Sequence, residues 1–173
     1  MRPRVLVLAL ALAGMLLAAA PSFAGGPAAG SANSAAARLA LQGPASGWPQ
    51  ALSRFEAAAR AGDAAAAYWA GLMVRNGKGT SPDSAAARRW LAQAADGGVP
   101  EAMFLLANML IEGEGGPIDT TAAHAWLERA AGLQHPAAMQ QLAQLARAHG
   151  AGERANALLR ESAHALQHRA GDP

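Results

Sequence analysis

The sequence predicts an all-α fold in which about three two-helix repeats stack as a solenoid behind an N-terminal capping helix. The composition is 52% hydrophobic but only 5% aromatic. Much of the hydrophobic fraction is alanine, so the core is built from small side chains that let helices pack closely. Two segments superpose without a gap at an offset of 36 residues, which is the signature of a repeat architecture. No segment shows the sustained alternation of apolar and polar residues that is typical of a half-buried strand.

The repeat is defined by distinctive residue types at matching positions. An alanine, an aromatic residue, a methionine, two glycines, an aspartate, a tryptophan and a paired alanine recur in register. They are Ala66, Tyr68, Met73, Gly77, Gly79, Asp83, Trp90, Ala94 and Ala95 in the first copy, and Ala102, Phe104, Met109, Gly113, Gly115, Asp119, Trp126, Ala130 and Ala131 in the second. The probability of chance agreement at this many positions is very small, so the duplication is a property of the fold.

Each copy is predicted to be two helices joined by a glycine turn. Apolar residues of segment 66–74 recur at spacings of three and four, the period of one helical face. The turn 76–79 ends this helix, because glycine adopts the left-handed conformation that a C-cap needs. Pro82 and Asp83 start the second helix, since proline fits a first turn and a short acid satisfies free N–H groups. Glycines at 97–98 end the second helix.

The pattern continues outward in weaker form. The segment from Trp48 to Ala61 matches a lone second helix and is predicted to cap the N-terminal end. Beyond the second copy, a third hairpin has its glycine loop shortened to residues 149–152. Degenerate outer copies are expected in a solenoid, because its end faces meet water. The predicted repeat domain therefore covers residues 48–168, followed by a C-terminal tail at 169–173.

The first 24 residues have the layout of a secretory signal peptide. Arg2 and Arg4 give a positive start, an apolar run follows from Val5 to Ala20, and the small residues Ser22 and Ala24 precede a cleavage site. The apolar run is 16 residues, short of the roughly 20 that span a bilayer as a helix. Cleavage after Ala24 is thus predicted, with retention of the leader as a membrane anchor as the alternative.

Cleavage implies an exported protein, either secreted or located in a bacterial periplasm, with no membrane span in its mature form. Residues 25–47 are rich in glycine, alanine, serine and proline, and are expected to form a flexible leader to the folded part. The chain has no cysteine, so it needs no disulfide in an oxidising compartment.

Charge and composition exclude several classes of protein. The formal net charge is +2, but without Arg2 and Arg4 the 14 basic residues fall to 12, which equals the number of acidic residues. A nucleic-acid partner is therefore not expected, because phosphate neutralisation needs a clustered positive excess. The absence of cysteine excludes a thiolate zinc site and a cysteine nucleophile.

No motif in the chain points to catalysis. The glycine turns lack the preceding strand and the Lys-Ser/Thr pair of a phosphate-binding loop. His164 and His168 have i, i+4 spacing, but no third metal ligand accompanies them. No S-x-x-K or G-x-S-x-G motif supplies a serine nucleophile. Glu112 and Glu114 flank a glycine turn, where solvation is expected to keep them ordinary carboxylates. The sequence thus predicts no enzyme activity, no cofactor and no metal site.

The pattern A-x3-L-G-x2-Y-x2-G-x-G, followed by D-x3-A-x2-W-x3-AA-x2-G, resembles the Sel-one-like repeat, a 36-residue relative of the tetratricopeptide repeat. The resemblance covers roughly residues 48–168. The chain departs from the pattern at five positions. It has Ala70 where the pattern has leucine, Val74 and Leu110 where it has tyrosine, Ala107 where it has glycine, and Gln134 in place of the closing glycine.

The resemblance implies a right-handed α/α superhelix that acts as a protein-binding scaffold. Family members are often adaptors in secreted, periplasmic or membrane-associated complexes. A cysteine-rich minority is linked to β-lactam binding or hydrolysis, and this chain lacks those cysteines. In the repeat pattern, Trp90 and Trp126 are expected in the core.

By analogy with tetratricopeptide repeats, one face of each first helix lines a concave groove. The residues predicted on that face are Tyr68, Leu72 and Arg75, then Phe104, Asn108 and Ile111, then Gln140, Gln144 and Arg147. Such a mixture of apolar, amide and guanidinium groups can hold a peptide; the alternative is a row of merely solvated helix positions. Trp69 is a candidate anchor for a partner, or else packs against the capping helix.

The function expected from the sequence is a non-catalytic scaffold of the bacterial envelope that binds a protein or peptide. Two alternatives stay open: a periplasmic inhibitor or immunity protein, and a repeat enzyme of the β-lactamase-linked branch. Self-association is also open, because three repeats are near the minimum for a stable solenoid.

Overall fold

The computed structural model describes residues 42–171, and side chains as far as residue 167. The predicted signal peptide at 1–24 and most of the predicted flexible segment at 25–47 lie outside the described residues. Within the described part, the chain is helical and contains no strand. After a short 3₁₀ turn at Ala45–Gly47, the helices are α1 (Trp48–Arg60), α2 (Ala64–Arg75), α3 (Ser84–Asp96), α4 (Pro100–Glu112), α5 (Thr120–Gly132), α6 (Pro136–Ala148) and α7 (Gly152–Gly171).

The helices pack in the order in which they occur along the chain. The tightest pairs are α2 with α3, α4 with α5, and α6 with α7, and each hairpin contacts the next through α3 with α4 and α5 with α6. Helix α1 packs on α2 and closes the N-terminal end. The predicted right-handed α/α superhelix of three hairpins with a capping helix is confirmed.

Short side chains start the helices where the sequence predicts. The carboxylate of Asp83 accepts a hydrogen bond from the N–H of Ala86 at 2.8 Å, and Asp119 accepts one from Ala122 at 2.9 Å. Such N-caps contribute about 1 kcal/mol each, because they satisfy backbone donors that the first turn leaves free. The first helix of the third hairpin is capped by a residue that the sequence pattern does not mark, His135.

Residues with a positive φ angle recur at the turns between helices. Among the described residues all are glycines except Gln134. Gly77 and Gly113 follow α2 and α4 with φ of 66° and 71°, as predicted for C-caps. Gly98 has φ 87° after α3, and Gln134 takes the equivalent position after α5 with φ 60°. Gln134 is thus an L-residue in a conformation that favours glycine.

The core is one continuous cluster that runs along the stack. Alanines at the helix contacts are fully buried, and larger side chains such as Phe55, Met73 and Met109 fill the space between layers. Trp90 and Trp126, expected in the core, pack against it but keep part of their surface exposed. The residue that follows each tryptophan, Leu91 or Leu127, is the one that is fully buried. The indole therefore points partly out of the core.

Each of these indoles is covered by an arginine. The guanidinium carbon of Arg60 lies 5.8 Å from the ring centroid of Trp90, and that of Arg129 lies 4.4 Å from the ring centroid of Trp126. These cation–π contacts shield part of each ring from water.

The C-terminal helix is longer than the repeat pattern predicts. Helix α7 continues to Gly171, beyond residue 168 where the sequence places the end of the domain. The loop that precedes it, 149–151, is much shorter than the corresponding loops 76–83 and 113–119, in agreement with the shortened third turn of the sequence pattern.

Candidate functional site

The predicted binding residues lie at equivalent positions on the first helix of each hairpin. On α2 and α4 all six are half-buried, whereas the three on α6 are exposed. The half-buried residues are Tyr68, Leu72, Arg75, Phe104, Asn108 and Ile111, and the exposed ones are Gln140, Gln144 and Arg147. The residues on α2 and α4 therefore mix aromatic, aliphatic and polar side chains, whereas those on α6 are two amides and an arginine.

An ion pair links the first two hairpins at this surface. The carboxylate of Glu114, in the α4–α5 loop, accepts hydrogen bonds from Arg75 Nε at 2.9 Å and from Arg75 Nη2 at 2.6 Å. The hydroxyl of Ser84, at the start of α3, donates to the same carboxylate at 3.0 Å. One loop residue of the second hairpin thus binds both helices of the first.

The pair shifts the titration of both partners. The hydrogen bond from Arg75 lowers the pKa of Glu114 below its ordinary value, with a smaller contribution from Ser84. The hydrogen bond to Glu114 raises the pKa of Arg75, and the charge of Glu112 adds to the effect. The expectation that Glu114 is an ordinary solvated carboxylate is therefore wrong, because the folded loop places it against a cation from the preceding hairpin.

This contact changes what Arg75 can offer a ligand. Its Nε and one terminal nitrogen are directed at Glu114, so a partner carboxylate would have to use the other terminal nitrogen. Arg147, at the equivalent position of the third hairpin, is exposed and forms no ion pair with any part of the chain that the structure describes. It is the better placed of the two arginines for binding an acidic group.

The aromatic residues of the surface are held by their neighbours. The ring of Trp69 stacks on Phe55 of α1, with centroids 6.2 Å apart and planes at 21°, and meets the ring of Tyr68 edge-on at 5.6 Å. Of the two roles expected for Trp69, packing against the capping helix is the one seen. Burial raises the pKa of Tyr68, and the charge of Glu101 raises it further.

Two further side chains of this surface, Phe104 and Gln140, contact residues of the third hairpin. Phe104 stacks on the imidazole of His135, with centroids 5.0 Å apart, and His135 is 93% buried because it caps α6 through a hydrogen bond from the N–H of Ala138 to Nδ1 at 3.3 Å. Gln140 Nε2 donates to Ser162 Oγ of α7 at 3.3 Å. The sequence pattern did not mark His135 as a functional or structural residue. Its contacts with Phe104 and with the start of α6 form only where the second and third hairpins meet.

Among the residues that the structure describes, no three or more histidine, aspartate or glutamate side chains lie close enough to hold a metal ion. No helix of residues 42–171 combines the length and apolar character needed to span a membrane.

The family resemblance is confirmed by comparison with known proteins. The model of the Sel1 repeat, the Sel-one-like repeat named above, matches residues 64–99 and 100–135. These two segments are the α2–α3 and α4–α5 hairpins together with their turns. No curated protein matches the sequence significantly.

Solved structures share the fold. A Sel1 repeat protein from Oxalobacter formigenes superposes with a TM-score of 0.67 at 22% identity, over 77% of this chain and 54% of its own. A protective antigen of uropathogenic Escherichia coli strains, c5321, which displays the same repeat fold, superposes with a TM-score of 0.68 at 25% identity, over 78% of this chain and 30% of its own. The chain thus matches about half of the first protein and less than a third of the second.

Proposed function

Because the chain carries two Sel1 repeats within a Sel1-type solenoid, we propose that it is a non-catalytic scaffold that binds a protein or peptide along the first helices of its hairpins. Sel1 repeats generally mediate protein–protein interactions. The bound segment contacts the face defined by the nine predicted residues on α2, α4 and α6, which we call the ladder surface.

The observation that supports this proposal most is the incomplete burial of apolar side chains on the first helices of successive hairpins, including Tyr68 and Phe104 at equivalent positions. Leu72 and Ile111 keep part of their surface exposed on successive hairpins, while the methionines next to Leu72 and on α4, Met73 and Met109, are fully buried. An extended peptide could cover these apolar groups while its backbone bonds to the amides of Asn108 and Gln144.

The ladder surface also carries a positive charge, that of Arg147, which can pair with an acidic group of a partner. Arg147 ends the exposed part of the surface on α6, so an acidic side chain or chain terminus of the partner is expected beside it. Arg89, on α3, is equally exposed but lies on a second helix, outside the proposed surface. The two arginines therefore form a matched pair for a charge-reversal experiment.

The test is capture of partners from an envelope extract by wild-type protein, Arg147→Glu and Arg89→Glu, followed by mass spectrometry. The proposal predicts that Arg147→Glu recovers at least one partner about fivefold less than wild type does, since surface charge pairs contribute roughly 1 kcal/mol. Arg89→Glu is expected to recover that partner as well as wild type does. Recovery that is the same with all three proteins contradicts binding at the ladder surface.

Export to the cell envelope is part of the same proposal. It is supported by the signal-peptide layout of residues 1–24. N-terminal sequencing of the protein from a periplasmic fraction is expected to begin at Gly25, and a chain that keeps Met1 in the membrane fraction contradicts cleavage.

Absence of catalysis is supported by the lack of a nucleophile–base pair in the sequence. Incubation of the purified protein with nitrocefin is expected to give no hydrolysis above a buffer blank. Steady turnover would instead favour the β-lactamase-linked alternative.

A further inference from the structure

The third hairpin leaves uncovered a region that a loop covers in the other two. In the second hairpin, the loop 113–119 lies directly on the start of α3: a Cβ built on Gly115 would sit 2.2 Å from the carbonyl oxygen of Ser84. In the first hairpin, Gly79 approaches Trp48 in the same way, at 2.7 Å. The loop 149–151 has too few residues to repeat this approach, so the start of α5 stays exposed.

A pair of equivalent residues shows the consequence. Arg88 of α3 donates a hydrogen bond from Nη1 to the carbonyl oxygen of Pro117 in the covering loop, at 3.1 Å. His124 lies 36 residues later, at the same position of α5, and its side chain is 49% exposed. A cavity of about 110 Å³ opens beside it, between α5, α6 and the loop before α7.

The cavity is lined mainly by apolar atoms, and three of its lining side chains carry N–H groups. Leu142, Leu145 and Ala146 of α6 form the floor, and the rim is formed by His124, His149 and Arg154. A volume near 110 Å³ suits one branched aliphatic side chain, because a cavity of about 150 Å³ holds a benzene ring.

Glu128 lies beside two of the rim residues. It accepts a hydrogen bond from Arg154, and its carboxylate oxygen lies 3.9 Å from Nε2 of His124. Arginine carries five N–H donors and imidazole at least one, so the bond to Glu128 leaves further donors for a ligand. A group that only accepts hydrogen bonds complements such a rim.

We propose that this cavity binds the C-terminal residue of a partner polypeptide, with the carboxylate at the rim and a branched aliphatic side chain on the floor. A chain terminus brings both groups on one Cα, which matches a donor rim and an apolar floor in a single small cavity. Charge-assisted hydrogen bonds from the guanidinium to the carboxylate orient the residue. This terminal-residue cavity is separate from the ladder surface and does not depend on it.

The first experiment measures binding of fluorescein-labelled peptides by fluorescence polarisation. The probes are Gly-Ser-Gly-Ser-Leu with a free C-terminal carboxylate, the same peptide as its C-terminal amide, and the free acid in which glycine replaces the final leucine. The free acid ending in leucine is expected to bind about tenfold more tightly than the amide, the effect of one charge-assisted hydrogen bond, and about tenfold more tightly than the glycine peptide. Equal binding of acid and amide, or binding of none of the three, overturns the proposal.

The second experiment uses variants of the cavity. Arg154→Gln is expected to weaken binding of the free acid about tenfold, while Arg160→Gln, the same change at an exposed position of the same helix, leaves it unchanged. Ala146→Leu fills the floor and is expected to abolish the preference for leucine over glycine. Circular dichroism and thermal unfolding establish that each variant is folded, and equal loss of binding in both arginine variants overturns the assignment.

Chemical-shift mapping locates the peptide independently of the variants. Titration of the ¹⁵N-labelled protein with the free acid is expected to shift the amide signals of Ala146 and Ala151. Shifts confined to α2 and α4, or no shifts at all, overturn the cavity proposal, and neither result bears on binding of another partner at the ladder surface.

Discussion

Arg75, the last residue of α2, and Glu114, in the loop after α4, form a two-point ion pair that joins consecutive hairpins of the solenoid. Both side chains are less than a third exposed, so solvent screens this pair less than a typical surface salt bridge. Together with the hydrogen bonds from Ser84 to Glu114 and from Arg88 to the carbonyl oxygen of Pro117, the pair adds polar and directional contacts to the stack.

Removal of this ion pair is expected to destabilise the protein. Glu114→Gln should lower the free energy of unfolding by about 1–2 kcal/mol, since it removes the negative charge and leaves a single acceptor oxygen for Arg75. Urea denaturation followed by circular dichroism measures this change. The control is Glu112→Gln, an exposed acid of the same region, for which less than about 0.5 kcal/mol is expected. Equal effects of the two substitutions contradict a specific contribution of Glu114.

The pH dependence of stability should report the same contact. Because the pKa of Glu114 is lower in the folded state than its ordinary value of 4.5, its contribution is complete above that value and is lost as pH falls through the folded-state pKa. The difference in unfolding free energy between wild type and Glu114→Gln should therefore be constant from pH 7 to about pH 5.5 and shrink below pH 4.5. A difference that grows on acidification has the wrong sign for this account.

Docking of the glycine loop is tested by two glycines with the same backbone conformation. Gly115 and Gly150 have φ of 75° and 76°, but a Cβ on Gly115 meets the backbone of Ser84 whereas nothing lies within 4 Å of one on Gly150. Gly115→Ala is expected to cost about 2 kcal/mol more than Gly150→Ala, because the clash adds to the shared left-handed strain. Thermal unfolding of the two variants measures the difference. Similar costs indicate that the loop does not lie on α3.

Gln134 offers the opposite experiment. Gln134→Gly is expected to stabilise the protein by about 1 kcal/mol, since glycine relieves the left-handed strain and only part of that gain is offset by its greater unfolded-state entropy. The reverse change, Gly98→Gln at the equivalent position with open space around it, should destabilise by a similar amount. Chemical denaturation of both variants settles the sign, and a destabilising Gln134→Gly contradicts the assigned strain.

The helices and their ends could be predicted from the sequence because their signals are local. Asp83 and Asp119 cap helices whose N–H groups lie within three residues, and Gly77 and Gly113 follow the last turns directly. A 36-residue offset then orders the hairpins, since each can bury its apolar face only against a neighbour.

The contacts between hairpins could not be predicted in the same way. Arg75 and Glu114 are 39 residues apart, close to the repeat period but displaced by three, and no local pattern marks them as partners. His135 likewise caps α6 and stacks on Phe104 because two hairpins meet there. The position of the Trp90 indole, half outside the core, depends on which of two adjacent residues faces the next layer, and periodicity alone leaves that choice open.

The central claim is that the ladder surface holds a partner, and site-specific photo-crosslinking in cells tests it most directly. A photoreactive amino acid is placed at Asn108 or Gln144, on the ladder surface, or at Arg89 as the control. The account predicts a discrete crosslinked species of higher mass from the first two positions and none from the third. Crosslinking from Arg89 alone, or from none of the three positions, would contradict it.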